Sequence, residues 1–319
     1  MMKVVVISTM LSKENKTTIE QTASEVGAEL LFFPTEQEAM PAAADADVIY
    51  GPALNIAATS KNLKWLCVPS AGVDFLRGDS FANKDCLLTN SAGSYGVSIS
   101  EHMIAVSIMM MRRIPEFQAG VMNREWLSPR AQKSLKDSRV TVLGTGDIGT
   151  HFAKRLRAFE PAAIIGVNRS GRSEENCYDK IVPVTELDAV LKETDLLAMS
   201  LPGTAETAGL LSKDRLALLP EGSYIVNVGR GSAIDEDALI EALNSGHLAG
   251  AALDVFRTEP IPKDSPLWTT RNLLITPHVA GNLTLTYTKN KNVEMFCEDL
   301  RNFAAGRPLK HLVDKRLGY

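Results

Sequence analysis

The 319-residue sequence predicts an α/β protein built from two doubly wound parallel-sheet domains, one inserted into the other. Three observations predict this architecture. Short apolar runs alternate with helical patterns from end to end, as in parallel βαβ units. The runs fall into two sets, and a single long apolar helix pattern separates them. The second set has the length of a complete nucleotide-binding fold, whereas the segment after it is too short to fold alone.

The first set is VVVIS (4–8), ELLFF (29–33), DVIY (47–50), LKWLCV (63–68) and CLLTN (86–90). Five strands with intervening helices predict a small flavodoxin-like domain. SISEHMIAVSIMMMRRIPEF follows, apolar nearly all round at its start, as a helix wedged between two domains should be. The second set begins at RVTVLG (139–144). It continues with AIIGVN (163–168), DLLAMSL (195–201), SYIVNVG (223–229), LAGAALDVF (248–256) and NLLITPH (272–278). About 140 residues in this alternation are the size of a Rossmann domain. The remainder holds one helical pattern, TKNKNVEMFCEDLRNFAAG, closed by Gly306. It is expected to cross back onto the first domain. The expected division is 1–98 with 286–319 for the flavodoxin-like domain and 99–285 for the Rossmann domain.

Thirty-four basic residues against 38 acidic ones leave a net charge of −4, which argues against a nucleic-acid or anionic-membrane surface. The apolar stretch HMIAVSIMMM stops at Arg112–Arg113 after ten residues, about half a membrane span. MMKVVVIST is too short an apolar core for a secretory signal. Cys67, Cys86, Cys177 and Cys297 are scattered, with no CxxC pair and no histidine cluster at metal-ligand spacing. Free thiols in the cytoplasm and no metal site are therefore expected.

VLGTGDIGTHFAKRLRAF carries Gly144-x-Gly146-x-x-Gly149 between an apolar strand and an amphipathic helix, the context this motif requires. Gly144 permits the tight turn, and Gly146 lets a pyrophosphate approach the backbone. Gly149 lets helix and strand pack closely, while the N–H groups of Asp147 and Ile148 lie at the positive end of the helix. After the next strand, most such folds place an acid that accepts hydrogen bonds from a ribose 2′-hydroxyl. Here the chain reads Asn168-Arg169-Ser170, then Arg172. A guanidinium pairs with a 2′-phosphate in a fork, and a serine hydroxyl adds a further bond. NADP(H) is the expected cofactor, with NAD(H) as the alternative.

Chemistry in open α/β sheets gathers beyond the carboxyl ends of the strands. Arg230 follows SYIVNVG, Glu259 follows LAGAALDVF, and His278 ends NLLITPH. Hydride delivery to a ketone builds negative charge on oxygen, so a fixed cation and a proton donor suit that transition state. The blocks VNVGRGSAIDEDAL, AALDVFRTEP and TPHVAG, with VPSAGVD, NSAGSYGVSISEH and SLPGTAETAGLL, resemble those of the D-isomer-specific 2-hydroxyacid dehydrogenases. The likeness covers the whole chain, and the arginine-serine pair is similar to that of members that reduce glyoxylate and hydroxypyruvate with NADPH.

The resemblance implies that Arg230 holds the substrate's carboxylate and carbonyl oxygen. His278 exchanges a proton with that oxygen, and Glu259 tunes the imidazole so that its acid form persists near neutrality. It further implies that backbone N–H groups at Ala71, Gly72 and Val73 grip the carboxylate from the substrate-binding domain. Asp254 is expected to orient the nicotinamide carboxamide, or else to accept backbone hydrogen bonds at its strand end. Leu201, Pro202, Thr207, Val228, Gly229 and Gly281 fall in the family's remaining cofactor loops. Tyr95 departs from the usual pattern; it either projects into the cleft and shortens it or packs against the cofactor domain. Trp126 lies where the family has a loop near a dimer contact, and Leu285 and Tyr287 follow the histidine's loop.

A homodimer and a small 2-keto acid, glyoxylate or hydroxypyruvate, are the expected partners, with larger or aromatic keto acids as alternatives. The C-terminal-binding corepressors share the fold, but this chain has no disordered, proline-rich or basic appendage. A formate dehydrogenase of this fold would carry glutamine in place of Glu259. A long-type phosphoglycerate dehydrogenase would need a regulatory domain for which no residues remain.

Overall fold

The computed structural model describes residues 1–76 and 78–316. The chain divides into two compact units, Met1–Tyr95 with Asn282–Tyr319 and Gly96–Gly281.

The first unit holds β1 (Lys3–Ile7), α1 (Lys13–Glu25), β2 (Glu29–Phe33), α2 (Glu36–Ala43), β3 (Val48–Tyr50), α3 (Leu54–Thr59), β4 (Trp65–Cys67) and β5 (Leu87–Thr89). Their parallel sheet has the order β2-β1-β3-β4-β5, the flavodoxin-like arrangement. Val4 to Ile7 are buried without alternation because both faces of the sheet are covered. Val5, Ile49 and Leu66 face one core cluster, while Val4, Val48 and Trp65 face the other.

After Asn282 the chain returns as α10 (Thr286–Ala304). Phe296 and Leu300 of this helix fill the second cluster beside Trp65. Asn290 accepts a hydrogen bond from Asn15 at 2.8 Å, and Arg301 pairs with Glu25 at 2.8 Å, fastening α10 to α1. Gly306, at φ +65°, ends the helix as its position in the sequence predicts.

The second unit begins with α4 (Gly96–Met111) and α5 (Ile114–Met122). The single helix expected over this stretch is broken at Arg113, which takes the left-handed conformation at φ +55° directly before Ile114-Pro115. In an unbroken helix Pro115 would lack a donor and clash with the Met111 carbonyl one turn back, whereas it fits the first turn of a new helix.

Then follow β6 (Arg139–Leu143), α6 (Asp147–Leu156), β7 (Ala163–Asn168), β8 (Lys180–Pro183), α7 (Leu187–Leu191), β9 (Leu196–Met199), α8 (Lys213–Leu218), β10 (Ser223–Asn227), α9 (Glu236–Ser245), β11 (Leu248–Leu253) and β12 (Leu273–Ile275). The parallel sheet runs β12-β11-β10-β9-β6-β7-β8, the doubly wound dinucleotide-binding order. The sequence reading omits β8. It is four residues long, ends in proline and forms the sheet's edge, where a short strand gives little periodic signal.

The expected fold class, a Rossmann unit inserted into a discontinuous flavodoxin-like one, is the observed one. Cys67, Cys86, Cys177 and Cys297 are free and buried. Among the described residues, no helix is long and apolar enough to cross a membrane.

Candidate active site

All seven strands of the second unit run parallel, so their carboxyl ends share one edge. The predicted cofactor residues lie in the turns that leave that edge, after β6, β7, β9, β10, β11 and β12.

Gly144 leaves β6 at φ +101°, and α6 starts three residues later. A Cβ on Gly149 would stand 2.0 Å from the Gly144 carbonyl oxygen, so only glycine lets the helix close onto the turn. The first-turn N–H groups of α6, those of Asp147 and Ile148 included, have no acceptor within the helix. Together with the helix dipole they suit an anion such as a dinucleotide's pyrophosphate. The Asp147 carboxylate does not belong to that cradle: one oxygen stands 3.5 Å from His151 Nε2, one turn along.

At the end of β7 the Asn168 amide is saturated. Its oxygen accepts from the Gly171 N–H at 2.7 Å and the Ser170 hydroxyl at 3.2 Å. Its nitrogen donates to Thr145 Oγ1 at 2.7 Å and to the Arg172 carbonyl at 2.8 Å. Two donors and two acceptors exhaust a primary amide. The side chain thus shapes the turn and ties it to the glycine loop. Arg169, Ser170 and Arg172 are exposed around that shaped turn and carry no carboxylate among them. Two guanidinium groups fit a terminal phosphate.

Beyond β9, Thr207 Oγ1 donates to the Pro202 carbonyl at 2.6 Å and closes the loop that contains Leu201. A Cβ on Gly229 would lie 2.6 Å from the Leu201 nitrogen, so the turn after β10, with Val228, is pressed against this loop.

Asn227, buried at the end of β10, builds the turn that presents Arg230. Its side chain accepts from the Gly229 N–H at 3.0 Å and donates to the Arg230 carbonyl at 2.9 Å. Next along, a Cβ on Gly231 would fall 2.0 Å from the Phe256 carbonyl carbon, which fixes the Arg230 turn against the segment after β11. The Phe256 N–H donates to Glu259 Oε1 at 2.8 Å. Glu259 Oε2 stands 2.6 Å from His278 Nδ1, and with a carboxylate as partner Nδ1 carries the proton. Nε2 is the nitrogen left to act on a substrate. Arg230, Glu259 and His278 thus stand on one connected framework of three neighbouring strand ends.

His278 itself sits at φ +53°, uncommon for a residue with a Cβ. The turn is held by its N–H on the Asp254 carbonyl at 2.9 Å. The buried Asp254 carboxylate accepts from Thr276 Oγ1 at 2.6 Å, the Val279 N–H at 2.9 Å and the Ala280 N–H at 3.0 Å. These donors meet the second expectation for Asp254, a strand-end acid bound to backbone, and they hold the histidine's turn just ahead of Gly281. His102 stands 3.3 Å from Thr276 Oγ1, and burial lowers its pKa. Asn227, Thr276 and His102 went unremarked in the sequence; for Asn227 and Thr276 the only signal was a polar side chain ending an apolar strand, and His102, inside α4, gave none.

In the first unit, Ala71, Gly72 and Val73 follow β4. Tyr95 is 4% exposed, and its hydroxyl donates to the Pro69 carbonyl. Leu285 and Tyr287, at the start of α10, are exposed, as is Trp126 after α5. Among the described residues, no group of three or more His, Cys, Asp or Glu is placed to hold a metal ion.

Fold and site together define a two-unit α/β protein with a dinucleotide-binding unit and an Arg, Glu and His set at its strand ends. The chain belongs to the D-isomer specific 2-hydroxyacid dehydrogenases, since residues 104–280 match that family's NAD binding domain. D-3-phosphoglycerate dehydrogenase of Archaeoglobus fulgidus is 32% identical over 80% of this chain, which spans only 48% of that relative's length. Glyoxylate/hydroxypyruvate reductase A of Salmonella paratyphi C is 29% identical over 86% of this chain and 88% of its own. An NADPH-dependent glyoxylate/hydroxypyruvate reductase from Sinorhizobium meliloti, solved with NADP and sulfate, superposes with a TM-score of 0.81 at 26% identity. That match covers the whole of both chains.

Proposed function

We propose that the protein reduces a small 2-keto acid, glyoxylate or hydroxypyruvate, to the D-2-hydroxy acid with NADPH, forming NADP⁺. The observation that carries this reading is the Glu259–His278 pair on the framework that also bears Arg230. The names of the Salmonella and Sinorhizobium relatives support the substrate class.

Bound NADPH supplies the hydride. His278 Nε2 donates the proton that the substrate oxygen takes up as its charge develops, and takes it back in the oxidative direction. Glu259 fixes the imidazole by its Nδ1–H, so that one ring nitrogen faces the reacting oxygen. Arg230 supplies the permanent cation, holding the substrate's carboxylate and offsetting charge on the oxygen. Backbone N–H groups of Ala71, Gly72 and Val73 bind the carboxylate as well, which makes the first unit the substrate-binding one.

For the cofactor, the α6 N-terminus with Gly144, Gly146 and Gly149 holds the pyrophosphate. Arg169, Ser170 and Arg172 take the 2′-phosphate, the basis for preferring NADP(H). Loops at Leu201, Pro202, Thr207, Val228, Gly229 and Gly281 line the nucleoside and nicotinamide. A homodimer agrees with the apolar side chains that α5 and the following segment expose, Val121, Met122 and Trp126; light scattering that finds a monomer would remove this part.

A panel of 2-keto acids assayed with NADPH and NADH, following absorbance of the reduced nicotinamide, tests the reading. Oxidation of NADPH by glyoxylate or hydroxypyruvate is expected. Tight NADPH binding without turnover of any keto acid would refute it.

A further inference from the structure

The loop after β4 has its carbonyl groups tied down one after another. Val68 O stands 3.1 Å from Ser91 Oγ, and Ser70 O accepts from the Ser91 N–H at 2.9 Å. Pro69 O accepts from both the Tyr95 hydroxyl and Asn292 Nδ2, the latter at 3.2 Å. Asn90 Nδ2 donates to Ala71 O at 2.6 Å, and Ser70 Oγ to Gly72 O at 2.8 Å.

In a trans peptide the carbonyl of one residue and the N–H of the next point in opposite directions. Pinning the oxygens of Ser70, Ala71 and Gly72 therefore aims the N–H groups of Ala71, Gly72 and Val73 the other way. None of these three N–H groups has an acceptor among the described residues. A run of backbone N–H groups turned to one side is an anion-binding nest.

The side chains that set this aim are buried and come from distant chain positions. Asn292, on α10, is 1% exposed and saturated. Its nitrogen also reaches Ser94 Oγ at 3.0 Å, and its oxygen accepts from Ser91 at 2.5 Å and Tyr50 at 3.3 Å.

We propose that Asn90, Tyr95 and Asn292 are positioning residues for carboxylate binding: Tyr95 and Asn292 anchor the start of the loop at the Pro69 carbonyl, and Asn90 clamps the Ala71 carbonyl and so aims the Gly72 amide, which together keep the Ala71, Gly72 and Val73 amides turned towards an anion. The proposal rests on the reading of this loop as the seat of the substrate's carboxylate. It gives Tyr95 a role through the backbone, with no contact to substrate.

Tyr95→Phe removes one oxygen and keeps the ring; Asn90→Ala removes the clamp on Ala71. The NADPH-loaded protein is tested for the KM and kcat of glyoxylate reduction. Oxalate binding is measured by calorimetry as a readout independent of turnover, and NADPH affinity by fluorescence. KM and the oxalate Kd should rise together, about three- to tenfold per lost bond, the scale of one neutral hydrogen bond, with kcat and NADPH affinity within twofold of the parent.

Unchanged KM and oxalate Kd in both variants overturn the clamp, and so does a parallel loss of NADPH affinity, which would mark a general structural defect. Should Asn90→Ala fail to fold, Tyr95→Phe decides alone. A parent that binds oxalate but reduces no keto acid, with oxalate binding weakened in the variants, upholds the clamp and refutes the reductase reading. A parent that binds no oxalate overturns the clamp.

Discussion

Replacing Glu259 by glutamine tests the site through its hydrogen bonds, because the two carboxylate oxygens have different partners. Oε1 accepts from the Phe256 N–H at 2.8 Å, and Oε2 stands 2.6 Å from His278 Nδ1. A protonated imidazole is a donor at both nitrogens, so Nδ1–H requires an acceptor. Glutamine has one oxygen. If it serves Phe256, the amide nitrogen faces the Nδ1–H and two donors confront each other there; if it serves Nδ1, two N–H groups confront each other at Phe256.

An unmet donor costs about 1–3 kcal/mol when buried. The Glu259 side chain is 35% exposed and that of His278 50%, so water relieves part of this. The lower half of the range applies, and kcat for reduction should fall about five- to thirtyfold. Steady-state assays with a saturating keto acid measure it, and fluorescence titration should show NADPH affinity within twofold of the parent. A glutamine variant with parental kcat would refute the assignment of Glu259 as the acceptor that fixes the His278 imidazole.

Three further outcomes follow from the same structure. His278→Ala should lose at least ~10²-fold in kcat, the usual scale of a general acid, while binding NADPH normally; near-parental turnover would remove its role. Arg169→Asp should shift the NADPH-to-NADH preference in kcat/KM by more than tenfold, about 1.4 kcal/mol, towards NADH; unaltered selectivity would dissociate the β7 turn from the 2′-phosphate. Burial raises all four thiols, Cys67 to about 12 and Cys86 to about 11. At pH 8 the thiolate of Cys86 is then on the order of a thousandth populated. Ellman's reagent should find no fast-reacting thiol in the native protein and four in guanidinium chloride; a fast native thiol would contradict the packing.

The two sheets were legible in the sequence because parallel strands covered on both faces are plain apolar runs. ELLFF and AIIGVN coincide with β2 and β7 to the residue. The glycine turn was legible for a similar reason: Gly144 and Gly149 answer to constraints that act within a few residues. Arg230, Glu259 and His278 could be singled out as ionisable groups just past apolar runs, since chain direction alone places them at one edge of a parallel sheet.

What the sequence by itself determined was local: periodicity, turn chemistry, and the order in which strands deliver their polar ends. Only the tertiary structure decided what each buried polar side chain does. The Asn168 side chain is a saturated brace within its turn; Tyr95, whose sequence reading left two placements open, holds the Pro69 carbonyl; Asn292 had no reading at all. The physical reason is that a hydrogen bond depends on distance in space and is indifferent to separation along the chain. Asn292 meets Ser91 across 201 residues, and no local pattern records such a meeting.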